Sequence, residues 1–306
     1  MIALALLILF GALRYENFLS FYNITSVLRN NISMFGLIAL GMTFVIMTGG
    51  IDLSVGSVAA LASVIAALLS PYGLLAGTLV PVLVGVLLGL INGVIIARLR
   101  ILPFIVTLAM LLAARGLALI FANNTSVGVS YDTNFTTLGQ GDFLGLPIPA
   151  WIVFAAYLIG SIMLNYSRWG RHVLAIGGNE EAARLIGLPV DRITISVYTL
   201  SGALAALAGV ILASQFGAGQ PTEGLGWELS AIASVVVGGT LLTGGMGSVS
   251  ATLAGVVLLG LIFNVLNFEN GRGLVSLSAY WQSVIRGLFL LIVVVLQSRL
   301  TRRNTG

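Results

Sequence analysis

The sequence has no cysteine, no lysine and a single histidine among its 306 residues. Without cysteine there is no disulfide, no thiolate metal site and no thiol nucleophile. One histidine leaves no His cluster for a metal, and His172 reads as a solvated loop residue. Without lysine there is no Walker A loop, whose lysine reaches the phosphates, so ATP is not hydrolysed by this chain in that way. Charge is scarce altogether: 14 basic and 10 acidic residues amount to 8% of the chain, against about 25% in an ordinary soluble domain. A globule that is 58% hydrophobic, with a mean hydropathy of +1.08, has too little polar surface to cover itself and must use lipid as solvent.

What charge there is reports topology. All 14 basic residues are arginine, and nine fall in three places: Arg98 and Arg100; Arg168, Arg171, Arg184 and Arg192; Arg299, Arg302 and Arg303. Short Arg-rich loops mark the cytoplasmic side of a polytopic protein, so the net charge of +4 does not point to a nucleic-acid partner. Apolar runs predict an all-α polytopic fold of about ten transmembrane helices, at 1–13, 32–49, 53–70, 74–97, 101–122, 150–166, 193–216, 229–244, 249–268 and 280–297, forming one transmembrane domain over residues 1–306. The first run reads as a shortened helix, and 17–31 as interfacial, with a helix start at Asn23-Ile24-Thr25. From a cytoplasmic N-terminus, all three Arg clusters fall inside. The loop at about 123–149, with Asp132 and Asp142 and no arginine, falls outside.

Two segments resemble each other, Thr48-Gly49-Gly50-Ile51-Asp52 and Thr243-Gly244-Gly245-Met246. Paired glycines weaken a helix and permit dihedrals that other residues avoid, so each is a candidate break between spans. Irregular backbone survives in a membrane only where it is buried in protein or lines a polar cavity. Asp52 is the one acidic residue between Glu16 and Asp132. It is expected to cap the helix that follows, to serve the transport pathway, or both. Arg115 and Arg286, inside apolar spans, either reach an interface or a neighbour's carbonyls, or touch substrate. Gly85, Gly89 and Gly93 share one helical face and predict close helix packing, with Asn92 beside them as a polar lining residue. The internal loop at about 167–192 carries a short cytoplasmic helix. Asn179 caps it, Glu180 and Glu181 occupy its first turn, and Gly187 with Pro189 ends it.

These residues resemble the membrane permeases of bacterial ribose-type ABC importers. The likeness runs through Gly41-Met42-Thr43, Gly49-Gly50-Ile51-Asp52-Leu53-Ser54-Val55-Gly56-Ser57 and Pro103-Phe104-Ile105-Val106-Thr107-Leu108. It continues in Ala175-Ile176-Gly177-Gly178-Asn179-Glu180-Glu181-Ala182-Ala183, and in Gln220-Pro221-Thr222, Glu228-Leu229 and Gly238-Gly239-Thr240. Ser230, where the family pattern leads us to expect Asp, and the extra segment 269–277 depart from it. The resemblance implies a multi-pass inner-membrane permease that imports a monosaccharide by alternating access and is not itself an enzyme. It implies a second permease subunit, identical or not, a cytoplasmic tandem-cassette ATPase carrying ATP and Mg, and a periplasmic sugar-binding protein. The loop helix, through Asn179, Glu180, Glu181, Ala182, Ala183 and Gly187, would then couple to the ATPase.

Sugars are polar and uncharged, so a pathway needs hydroxyl partners and aromatic faces. By position we single out Thr43, Asp52, Ser54, Asn92, Gln215, Phe216, Asn264 and Asn267 for the pathway, and Trp227, Glu228 and Trp281 for its outer mouth. The alternative is an ion-coupled secondary transporter of a small polar solute, for which Asp52 is the one good titratable candidate.

Overall fold

A computed structural model of the chain describes residues 2–271 and, beyond them, Trp281, Val284, Ile285, Gly287, Leu288 and Leu291. The apolar runs form helices α1 (Ile2–Arg14), α2 (Phe21–Val27), α3 (Ser33–Met47), α4 (Val55–Leu69), α5 (Leu74–Leu99) and α6 (Pro103–Phe121). There follow a one-turn α7 (Thr137–Gln140), then α8 (Ile148–Tyr166), α9 (Arg168–Gly178), α10 (Glu180–Leu185), α11 (Val190–Phe216), α12 (Trp227–Val237) and α13 (Val249–Gly271). Two short ribbons are the only sheet among the described residues. Strand β1 (Val127–Gly128) pairs antiparallel with β4 (Ala218–Gly219), and β2 (Asp142–Phe143) with β3 (Leu146–Pro147).

Among the described residues, seven helical stretches are long and apolar enough to cross a membrane, while α1 and α12 are apolar but shorter. The expected tenth span at 280–297 lies largely outside the described residues, as does Arg286.

Two boundaries differ from the sequence expectation. The segment read as interfacial is helical and continuous with the next span, so Phe21–Met47 is one 27-residue helix with a π turn at Leu28–Ile32. Its start is capped by Ser20, whose Oγ accepts the Asn23 N–H, and its polar side chains find partners of their own. The Thr25 hydroxyl donates to the Phe21 carbonyl at 2.9 Å, and Asn23 exchanges amide hydrogen bonds with Asn264 of α13. The expected span at 229–244 shortens to α12, 11 residues or about 16 Å of helix, roughly half a hydrocarbon core.

Helix α11 is the axis of the bundle and packs on α5, α4 and α3. Its approach to α5 follows from the glycine face read in the sequence. Gly93 lies against the Ile195 backbone, with room for no more than a hydrogen: a Cβ there would stand 2.7 Å from the Ile195 Cα. The two internal Arg-bearing loops meet at one end of the bundle, where Arg100, Pro103, Glu180, Arg184 and Thr194 line one cleft. At the other end, the 123–149 segment covers the outer ends of α5 and α11. Phe135 is fully buried there, and the Ser214 hydroxyl accepts the Gly139 N–H and donates to the Phe135 carbonyl.

Candidate functional site

Helix α3 stops where its glycines allow it to. Gly49 adopts φ +83°, so its N–H reaches the Ile46 carbonyl at 2.8 Å and the Gly50 N–H reaches Val45 at 3.1 Å, a left-handed helix ending. Helix α12 ends the same way at Gly239, φ +87°, with Gly239 N–H donating to Val236 and Thr240 N–H to Val235. The residues that terminate the second helix are thus Gly238-Gly239, six positions before the pair recognised by sequence similarity. Gly244 and Gly245, both at positive φ, instead form a tight turn between α12 and α13, closed by the Gly244 N–H donating to Leu241. The two breaks touch. The Gly245 N–H donates to the Met47 carbonyl at 3.0 Å, filling one of the acceptors that the end of α3 leaves open.

From the first break the chain climbs into the bundle as 51–54 before α4 begins. Asp52 is 1% exposed. Its Oδ1 accepts the Ser54 N–H at 3.0 Å and the Ser54 hydroxyl at 2.6 Å, and its Oδ2 accepts the Ser201 hydroxyl of α11 at 2.8 Å. The Asn92 amide of α5 donates to the Ser54 Oγ at 3.1 Å. The Thr107 hydroxyl of α6 donates to the Ile51 carbonyl. Ser201 lies 11 residues into α11, about 16 Å along its axis from the Arg-rich end, so this polar knot sits inside the bundle rather than at its surface. It ties α4, α5 and α11 together around the carboxylate and is closed to solvent in this conformation. Asp52→Asn keeps one acceptor and supplies a donor that a turned Ser201 hydroxyl can take. We expect it to fold and transport, whereas Asp52→Leu strands Ser201 and the Ser54 N–H and costs about 2–3 kcal/mol. Thermal inactivation of the two purified variants checks the ordering.

A second polar arrangement lies across the bundle. Between β4 and α12 the chain runs non-helically along α4, so closely that a Cβ on Gly56 would stand 3.0 Å from the Glu228 carboxylate and overlap the Gly224 carbonyl. Arg115 holds this unwound stretch: its Nη1 donates to the Pro221 and Glu223 carbonyls, at 2.6 Å for the latter. Arg115 is 12 residues into α6, about 18 Å from the Arg-rich end. Helices α4 and α12 therefore begin close to each other at this depth, α4 running away from the Arg-rich end and the short α12 toward it. Of the two readings of Arg115, bonding to a neighbour's carbonyls is the one the geometry takes.

The remaining site residues are dispersed. Thr43 is buried and donates to Ala39, with its Oγ1 3.0 Å from Thr252 of α13. Gln215 donates to the Asn30 side chain, and Phe216 beside it is exposed. Asn264 is paired with Asn23, and Asn267 lies exposed on α13. Trp227 is buried against Phe35, ring centroids 5.1 Å apart, and with Glu228 opens α12. Trp281 is exposed. A cavity beside α12, about 120 Å³, is lined by Leu225, Leu229, Ala233, Leu259, Phe263 and Ser230 among others. Its one side-chain hydroxyl is too little for a polyhydroxylated solute.

At the Arg-rich end, α9 lies across the helix ends, its Trp169 indole donating to Ser196 at 2.7 Å and packing edge-on against Phe44. Asn179 caps α10 by accepting the Ala182 N–H at 2.9 Å, and Gly187, φ +82°, ends it. Arg184 pairs with Glu180 at 2.9 Å and with Asp191 at 2.7 Å. These bonds, the one to Asp191 foremost, push its guanidinium above the ordinary value. Ala183 is buried and Glu181 exposed. Sequence reasoning missed the apolar tip of this element: Leu185 and Ile186 are 87% and 74% exposed. The available signal was two large aliphatics at the end of a helix too short to bury both. It also missed Ser201, a single serine in an apolar span.

The seven apolar spanning stretches, with α9 and α10 at the Arg-rich end, define a polytopic membrane protein. The family model described as branched-chain amino acid transport system / permease component matches residues 24–294, and the chain belongs to that family. It is 42% identical over 301 residues to the ribose import permease protein of Bacillus subtilis (strain 168), covering 97% of this chain and 91% of that one. The ribose import permease protein of Escherichia coli (strain K12) is 40% identical over 306 residues, 98% of this chain and 92% of its own. The L-arabinose transport system permease protein of the same strain is 42% identical over 297 residues, 96% and 88%. No solved structure matches. The chain is a transport subunit and not an enzyme.

Proposed function

We propose that this chain is the inner-membrane permease of an ATP-driven importer that passes a ribose-like monosaccharide, pentose or hexose, inward by alternating access. The observation that carries the reading is the 42% identity to a ribose import permease over 97% of the chain. An arabinose permease at the same identity keeps the substrate class at monosaccharide rather than one sugar. A second permease subunit completes the pathway, a periplasmic sugar-binding protein delivers the sugar, and ATP with Mg is bound by a cytoplasmic tandem-cassette ATPase.

Helix α10 is the part that meets the ATPase. Leu185 and Ile186 protrude from it, and two adjoining aliphatics that would otherwise face water suit an apolar groove on a partner. Glu181, exposed in the first turn of the same helix, adds a negative charge to it, while Glu180 is paired with Arg184. The polar knot of Asp52, Ser54 and Asn92 belongs to the gate rather than the sugar-contacting wall, because all three residues are buried and both Asp52 oxygens are hydrogen-bonded within the bundle.

The test is uptake of radiolabelled ribose and arabinose into proteoliposomes holding the permease, its ATPase and its binding protein. ATP-dependent accumulation is expected. Accumulation by the permease alone under an ion gradient would turn the assignment to a secondary transporter. In the same preparation, the double variant Leu185→Asp, Ile186→Asp is expected to insert normally and to weaken ATPase co-purification by about tenfold or more.

A further inference from the structure

The end of α9 lies where three loops of backbone meet. A Cβ on Gly177 would overlap the Met47 carbonyl oxygen, the last of α3, and the Gly245 amide nitrogen, the pair that forms the hydrogen bond between the two breaks. From the other side, a Cβ on Gly244 would stand 2.8 Å from the Gly49 nitrogen and 3.0 Å from the Gly177 oxygen, and one on Gly245 would stand 2.9 Å from the Gly178 Cα. The contact is backbone against backbone on all three sides, with no side chain to absorb a displacement. Two residues further on, Asn179 caps α10.

We propose that Gly177 is a positioning residue through which displacement of α10 is delivered to both helix breaks together, so that α4 and α13, which follow the breaks, move as a pair. The inference rests on the reading of α10 as the element that meets the ATPase. Its physical basis is stiffness. The link from α10 to the joint is Asn179 and Gly178, and the joint is tied by one interbreak hydrogen bond whose donor and acceptor are both in van der Waals contact with Gly177. A push on α9 and α10 therefore cannot reach one break and spare the other. Downstream of the first break lies the 51–54 segment with its Asp52 knot; downstream of the second, Ser248 begins the turn into α13, whose Thr252 touches Thr43 of α3.

The neighbouring glycine supplies the control. A Cβ on Gly178 meets nothing within 4 Å. As both glycines lie in α9, a purely local effect of Gly→Ala would favour the helix at either position, by about 1 kcal/mol. The joint instead requires opposite outcomes. In proteoliposomes holding the complete importer, sugar taken up and ATP hydrolysed are measured on the same sample. Gly178→Ala is expected to match the unsubstituted importer. Gly177→Ala is expected to retain its ATPase and hydrolyse ATP, while sugar moved per ATP falls about tenfold. An unchanged ratio in Gly177→Ala would overturn the proposal.

Should Gly177→Ala fail to assemble, hydrogen exchange on the unsubstituted importer decides. Trapping the ATPase closed with vanadate is expected to change amide protection at 48–50 and 243–247 together. A change at one break alone, or at neither, would overturn the proposal. Absence of ATP-dependent uptake by the unsubstituted complex would instead refute the importer reading itself, so the two failures are distinguishable.

Discussion

Replacing Arg115 by Met is expected to abolish uptake and to lower the yield of folded permease sharply. The guanidinium bridges two carbonyls, Pro221 and Glu223, of a non-helical stretch about 18 Å from the Arg-rich end of the bundle. Hydrocarbon offers such carbonyls no alternative partner, so irregular backbone at that depth persists only where protein satisfies it. Hydrogen bonds to a charged group contribute about 1.5–3 kcal/mol each, so losing two costs roughly 3–6 kcal/mol. That is a large share of the ~5–15 kcal/mol that holds a typical domain folded. The stretch also fixes where α12 starts, and with it Trp227 against Phe35. Arg115→Lys retains the charge on a shorter side chain without the planar fork and is expected to recover part of the stability. Size-exclusion profiles before and after heating read the stability, and ATP-dependent uptake reads the pathway. An Arg115→Met permease that is as stable and active as the unsubstituted one would mean that the unwound stretch supports itself.

The fold was legible wherever hydropathy alone decides. Long apolar runs gave the seven spanning stretches, the arginine loops identified one end of the bundle, and the four-residue spacing of Gly85, Gly89 and Gly93 announced a close helix contact, though not that its partner is α11. Legibility failed where hydropathy is blind to the backbone. From Leu229 to Leu242 the sequence stays apolar, so nothing in its hydropathy marks the end of α12 at Val237; only the positive φ of Gly239 does. Conversely, 17–31 looked interfacial because the partners that satisfy its polar side chains, α13 for Asn23, the preceding turn for Thr25 and α11 for Asn30, are invisible to hydropathy. Asp52 was conspicuous as a lone acid, but whether it faces a pore or a knot depends on Ser201, 149 positions away, and no local pattern marks that serine. Helix α10 was legible to its caps, Asn179 and Gly187, since capping is local chemistry. The backbone contact of α9 with both breaks was not, because a glycine required by its neighbours looks the same in sequence as one that is merely tolerated.

Gly89→Val is expected to prevent assembly of a working permease, although it exchanges one apolar residue for another in an apolar helix. A Cβ at Gly89 would overlap the Tyr198 carbonyl oxygen and stand 3.0 Å from the Thr199 Cα, and reciprocally a Cβ at Gly202 would stand 3.0 Å from the Gly89 Cα. Backbone on the opposing side cannot rotate away, so the helices must separate. Overpacking even among mobile side chains costs about 1–3 kcal/mol. The consequence reaches the polar knot, because α5 carries Asn92 and α11 carries Ser201. Their bonds to Ser54, at 3.1 Å, and to Asp52, at 2.8 Å, span the same interface and would stretch as it opens. The buried carboxylate would then lose a donor without gaining water, so a steric change at a glycine becomes an electrostatic one at Asp52. Gly116→Val on α6, where a Cβ meets nothing within 4 Å, adds the same side chain to a lipid-depth helix without touching a neighbour. It is expected to leave the size-exclusion profile and uptake intact. Equal behaviour of the two variants would show that the apolar surface, and not the α5 and α11 contact, governs assembly.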